Sequence, residues 1–127
     1  MPLRKRALVI EDDAVLSALM AEMLELMGYA VCSICTTQSE SVAGYFAHRP
    51  DFMVVDDRLR EGRGVHAVEE ILAREYVPHL YVAGDPAYVI SRHPQATVIR
   101  KPCTAHKSGN AWVPSWDCPA SLQSLLG

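Results

Sequence analysis

The chain has 127 residues, half of them apolar, with 12 Lys and Arg against 15 Asp and Glu for a net charge of −3. That size suits one domain with a buried core, and the charge balance leaves no electrostatic footprint for nucleic acid or a membrane surface, so neither is expected as a partner. No stretch approaches the roughly 20 apolar residues of a membrane span and no leader is discernible, so a cytoplasmic location with reduced cysteines is expected.

In chain order, the basic Arg4-Lys5-Arg6 leads into a β-prone run, Ala7 to Ile10, that ends in Glu11, Asp12 and Asp13. From Ala14 to Met27, apolar residues at Leu16, Leu19, Met20, Met23, Leu24 and Met27 recur at spacings of three and four, which predicts a helix with one apolar stripe. Gly28 stands where a helix C′ residue belongs. Ala30 to Ile34 is the second expected strand. In this apolar segment Cys32 and Cys35 have CxxC spacing, but residues three apart on a strand point to opposite faces, so the pair is expected to be structural.

Thr37, Ser39 and Ser41 are N-cap candidates for a second helix that runs to about His48 and is stopped by Pro50, with Gly44 an anomaly inside it. Phe52 to Val55 is almost wholly apolar, as a strand buried on both faces would be, and it ends in Asp56-Asp57. A glycine-containing loop over 59–64 precedes a third helix from Val65 to Glu75. Leu80 to Ala83 is the fourth strand, Ala87 to Arg92 a short fourth helix, and Thr97 to Arg100 the fifth strand, closed by Lys101-Pro102. Strands alternating with helices predict βαβ units and a doubly wound parallel sheet.

The polar residues collect at the carboxyl ends of these strands, where open parallel sheets bind ligands. Glu11, Asp12, Asp56 and Lys101 are therefore expected to converge in one cleft. An all-oxygen acidic cluster suits a hard cation such as Mg²⁺, and a carboxylate can act as a nucleophile toward a phosphoryl group. The lysine ammonium would neutralise phosphoryl oxygens on the side away from the cation. Asp13 is equally well placed to cap the first helix. The five histidines lack ligand spacing and are assigned no chemistry.

Val9-Ile-Glu-Asp-Asp13, Pro50-Asp-Phe-Met-Val-Val-Asp56-Asp-Arg-Leu59 followed by Gly62 and Gly64, and Arg100-Lys-Pro102 resemble, in order, the motifs of the response-regulator receiver family. The resemblance spans roughly residues 5–102 and makes the chain one receiver domain over 1–127 with an atypical tail over 103–127. It implies a flavodoxin-like α/β fold with a five-stranded parallel sheet of order 2-1-3-4-5. It places the phosphoacceptor on Asp56, Mg²⁺ (or Mn²⁺) on Glu11, Asp12, Asp56 and the backbone carbonyl of Arg58, and the family's lysine on Lys101. A histidine kinase or phosphotransfer protein would be the phosphoryl donor, with slow self-hydrolysis of the product. Downstream, an unidentified protein would read the domain, and a second copy of the chain is a further candidate partner.

The sequence departs from the family at three places. Ala83 stands where the family carries Thr or Ser, and Val98 where it carries an aromatic switch residue. The tail does not read as the family's fifth helix: Lys107 to Asn110 is turn-like, Pro114 and Pro119 break a long helix, and only Ser121 to Leu126 has a helical pattern. Trp112 and Trp116 would plug the core or, less in keeping with base rates, anchor an interface. Arg58 and Asp85 should overhang the cleft, either paired across its mouth or separately solvated. Two functions remain open: a phosphoacceptor in a two-component relay, without an output domain because only about 25 residues follow the core, or a receiver-fold binding module indifferent to phosphorylation. A nucleotide-binding protein is disfavoured, since no glycine-rich loop follows the first strand.

Overall fold

Seven strands and four helices are seen among the residues that the computed structural model describes, which are 4–100, 104–108 and 111–115. Strands β1 (Arg6–Ile10), β2 (Ala30–Cys35), β3 (Phe52–Asp56), β4 (His79–Ala83) and β5 (Val98–Arg100) form one parallel sheet in the order β2-β1-β3-β4-β5. Helices α1 (Ala14–Leu26), α2 (Gln38–His48), α3 (Gly64–Leu72) and α4 (Ala87–Arg92) connect them. No helix among the described residues is long and apolar enough to cross a membrane.

Strand alternation divides the core in two. Leu8, Ile10, Met53, Val55, Tyr81 and Ala83 face a layer built from Tyr45 of α2, Val65, Val68 and Ile71 of α3, and Val89 of α4. Ala7, Val9, Phe52, Val54, Leu80, Val82 and Ile99 face the other way, toward Met20 and Leu24 of α1. Because helices lie on both faces, β3 can be buried at all five positions.

The helix ends follow the expected chemistry. Asp13 is the N-cap of α1, its Oδ1 accepting from the backbone N–H groups of Val15 and Leu16, each at 2.9 Å. Gly28, with φ +98°, turns the chain after α1. Thr37 caps α2 through Glu40 N–H at 3.1 Å. Gly44 sits inside α2 because a Cβ there would come within 2.7 Å of Cys35 Sγ, so its absence lets α2 lie against β2. Helix α3 is shorter than its sequence pattern predicts. It ends at Leu72, where Arg74 N–H bonds to the Ile71 carbonyl in a tightened last turn before Pro78.

Two further features depart from the sequence reading. Opposite Ala7 and Leu8 of β1, the register of β2 jumps from Val31 to Ser33, leaving Cys32 as an extra, bulged residue. The bulge resets the alternation, and Cys32 and Cys35 pack against the same core layer rather than opposite faces. Both thiols are free, and burial raises the pKa of each, which keeps them protonated and in a structural role. In the tail, an antiparallel hairpin of β6 (Thr104–Ser108) and β7 (Ala111–Ser115) occupies sequence that carried no strand expectation. Pro114 breaks helices but is compatible with a strand in a two-stranded ribbon, where its missing N–H can face away from the partner. The helical pattern over Ser121 to Leu126, and the position of Trp116, lie outside the described residues.

Two stability measurements follow. Replacing Asp13 with Ala should cost about 0.5–2 kcal/mol in urea unfolding, because two helix N–H groups lose their acceptor. Burial also lowers the His79 imidazole below its ordinary value of 6.5. The unfolded chain therefore takes up a proton at higher pH than the folded one does. The stability tied to a neutral His79 is complete above that value and is lost as pH falls toward the folded pKa. Urea midpoints compared on either side of pH 6.5 should drop on the acid side, with a shallower fall in His79→Gln.

Candidate functional site at the carboxyl edge of the sheet

The pairing of β1 with β3 builds the site. Ala7 to Ile10 of β1 lie opposite Phe52 to Val55 of β3, so the next residues, Glu11 and Asp56, emerge side by side. Glu11 is held in line by its backbone N–H, which bonds to the Cys35 carbonyl at 2.9 Å and extends the β1–β2 ladder by one residue. Glu11 is fully buried, Asp56 is 3% exposed, and Asp12 is half-buried. One carboxylate oxygen from each of Glu11, Asp12 and Asp56 lies within 4.8 Å of the others. Like charges this close repel strongly in a buried setting, and a hard divalent cation relieves the repulsion. With three carboxylates and no nitrogen or sulfur donor, the set fits Mg²⁺ or Mn²⁺ far better than zinc.

Beside this cluster a cleft of about 150 Å³ is lined by Asp56, Asp57, Arg58, Ala83, Gly84 and Asp85. A cleft of that size has room for a small anion. Ala83 presents only a methyl group to the cleft. Val98 of β5 is half-buried, packed on the core, and pairs with Tyr81. Ala83 pairs with Arg100, which brings the end of β5 beside the cleft. Lys101 lies outside the described residues.

Arg58 and Asp85 line the same cleft but do not pair with each other. Asp85 Oδ1 instead accepts from Ala87 N–H at 3.1 Å, an Asx turn that starts α4 in place of a side-chain cap. Arg58 is exposed, and its backbone bridges to Arg63 across the β3–α3 loop. The ion pair that does form is Asp57–Arg63, which sequence reasoning had not singled out. Asp57 is 2% exposed. Its carboxylate takes two donors from the Arg63 guanidinium, and Asp57 Oδ1 also accepts from Val65 N–H at 3.4 Å. Hydrogen bonding to Asp57 raises the Arg63 pKa further. The available sequence signal was an acid directly after a wholly apolar strand, six residues before an arginine that precedes a helical pattern.

The loop closes tightly on the strand. Gly64 N–H bonds to the Asp57 carbonyl at 2.7 Å, and a Cβ on Gly64 would stand 2.1 Å from the Asp56 carbonyl oxygen. Gly64→Ala should therefore destabilise the fold by at least about 1–3 kcal/mol in urea unfolding, since backbone rather than a flexible side chain would have to yield.

A family model described as the response regulator receiver domain matches residues 7–105. Among curated proteins, the chain is 30% identical over 74 residues to the transcriptional regulatory protein PdtaR of Mycobacterium tuberculosis, covering 58% of this chain and 36% of that one. It is 29% identical over 68 residues to the chemotaxis protein CheY of Thermotoga maritima, covering 54% of this chain and 57% of that one. The matches thus span about a third to just over half of these relatives. Among solved structures, the receiver domain of PhyR from Erythrobacter litoralis aligns with a TM-score of 0.72 at 22% identity, covering 78% of this chain and 79% of that one. The non-phosphorylated HemR receiver domain from Leptospira biflexa aligns with a TM-score of 0.66 at 31% identity, covering 78% and 83%.

Proposed function

This chain belongs to the response regulator receiver domain family, and from that premise we propose that it accepts a phosphoryl group on Asp56 in a cytoplasmic two-component relay. The observation that carries the reading is the meeting of Glu11, Asp12 and Asp56, from two strand ends, within 4.8 Å. A carboxylate oxygen of Asp56 attacks the phosphorus of a donor phosphohistidine on a histidine kinase or phosphotransfer protein. The O–P bond forms as the P–N bond breaks, and the departing imidazole keeps the electron pair and takes up a proton. Glu11, Asp12, Asp56 and the Arg58 carbonyl would hold Mg²⁺ or Mn²⁺, which supplies charge neutralisation at the transferring oxygens. Lys101 is assigned the opposite side of the phosphoryl group. Slow hydrolysis of the acyl phosphate then returns the carboxylate.

A second reading has specific support. Ala83 provides no hydroxyl to the phosphoryl group, and loss of one charge-assisted hydrogen bond is worth about 1.5–3 kcal/mol. Val98 provides no ring to follow it. A receiver-fold module that binds its partner regardless of phosphorylation would tolerate both. Intact-mass measurement after incubation with Mg²⁺ and phosphoramidate separates the two. We expect a gain of one phosphoryl group, abolished by Asp56→Asn and by chelation. An unmodified wild-type mass, with partner binding retained, would favour the module.

A further inference from the structure

Resting on the phosphoacceptor reading, we infer that Arg63 is the positioning residue that couples the Asp56 site to α4, gripping Asp57 with its edge and the Tyr88 ring with its face. Asp57 is one peptide from the acceptor and almost fully buried. The Arg63 guanidinium carbon lies 3.8 Å from the centre of the Tyr88 ring. Only a planar cation can bond a carboxylate along its edge and stack on an aromatic face at the same time. From Tyr88 the contacts continue into α3, through the Tyr88 hydroxyl and His66 Nε2 at 2.7 Å. Arg92 and His93, at the end of α4, both bond Glu69 of α3, at 2.7 and 2.9 Å for Arg92 and 2.8 Å for His93.

The direct route through the sheet lacks its parts, because position 83 has no donor and position 98 no ring. The Arg63 route is continuous. The β3–α3 loop is closed on itself by the Gly64–Asp57 hydrogen bond and the Arg58–Arg63 bridge, so a pull at the Arg58 carbonyl moves Arg63 as well. Helix α4 is light to move: it has six residues, and Val89 is its one fully buried side chain. Contiguous contact makes such coupling physically available, and a coupling measurement decides whether it is used.

The test follows backbone amide resonances of the full chain on adding Mg²⁺ with beryllofluoride as a phosphoryl mimic. In the wild type, amides over 56–59 and over 87–92 should both shift. In Arg63→Met and in Tyr88→Leu the first group should still shift while the α4 shifts are lost, whereas Tyr88→Phe, which keeps the ring, should preserve both. Should Arg63→Met fail to fold, Tyr88→Leu leaves the Asp57–Arg63 pair in place and carries the test alone. Undiminished α4 shifts in Tyr88→Leu, or their loss in Tyr88→Phe, would overturn the coupling role with the phosphoacceptor reading intact. No response over 56–59 in the wild type would overturn that reading, and the inference with it.

Discussion

The register between β1 and β3 is the constraint on which the site depends. With Ile10 opposite Val55, the chain leaves both strands at the same level and delivers Glu11 and Asp56 to one point. A slip of one residue would turn every side chain of a strand to the opposite face. Here such a slip would drive Leu8 and Ile10 out of one core layer and Ala7 and Val9 out of the other. Apolar packing on both faces therefore fixes the position of carboxylates that, left to their own repulsion, would separate. A divalent cation bound between them would offset the mutual repulsion of like charges held this close.

The same logic extends one residue further, to Asp57. A carboxylate with 2% exposure is costly unless it is paired and hydrogen-bonded. Arg63 and the start of α3 meet that need, and in doing so they fasten the β3–α3 loop against the strand. Gly64 permits the approach, since any side chain there would collide with the Asp56 carbonyl. Burial of one acid thus shapes the loop that carries Arg58, which lines the cleft.

The sheet and its helices were legible in the sequence because they rest on local pattern: short apolar runs in the strands and spacings of three and four in α1, with Asp13, Thr37 and Gly28 as punctuation. The convergence of Glu11, Asp12 and Asp56 was legible because topology forces the ends of adjacent parallel strands together. What escaped depends on tertiary contact. The Cys32 bulge has no local signature, yet it changes which way a thiol points. Local pattern left open whether Arg58 and Asp85 pair or stay separate, and Asp85 had a nearer N–H to satisfy at the start of α4. The hairpin over β6 and β7 was obscured by Pro114, which argues against helix more plainly than it argues for an edge strand.

On the proposed phosphoacceptor reading, Ala83 and Val98 alter what binding at Asp56 can accomplish. In a sheet with a hydroxyl at 83 and a mobile ring at 98, the phosphoryl group would have a partner to pull and the partner a cavity to vacate. Here β4 meets the cleft with a methyl, and the half-buried Val98 side chain packs against the core. A β-branched side chain has few rotamers to exchange, so β5 has little freedom to report a distant event. The groups in contact with Asp57, next to Asp56, are instead polar and lie on the loop side, where the Arg63 guanidinium stacks on the Tyr88 ring. On the proposed phosphoacceptor reading, the elements left to respond are those held by such contacts, the β3–α3 loop and the short α4.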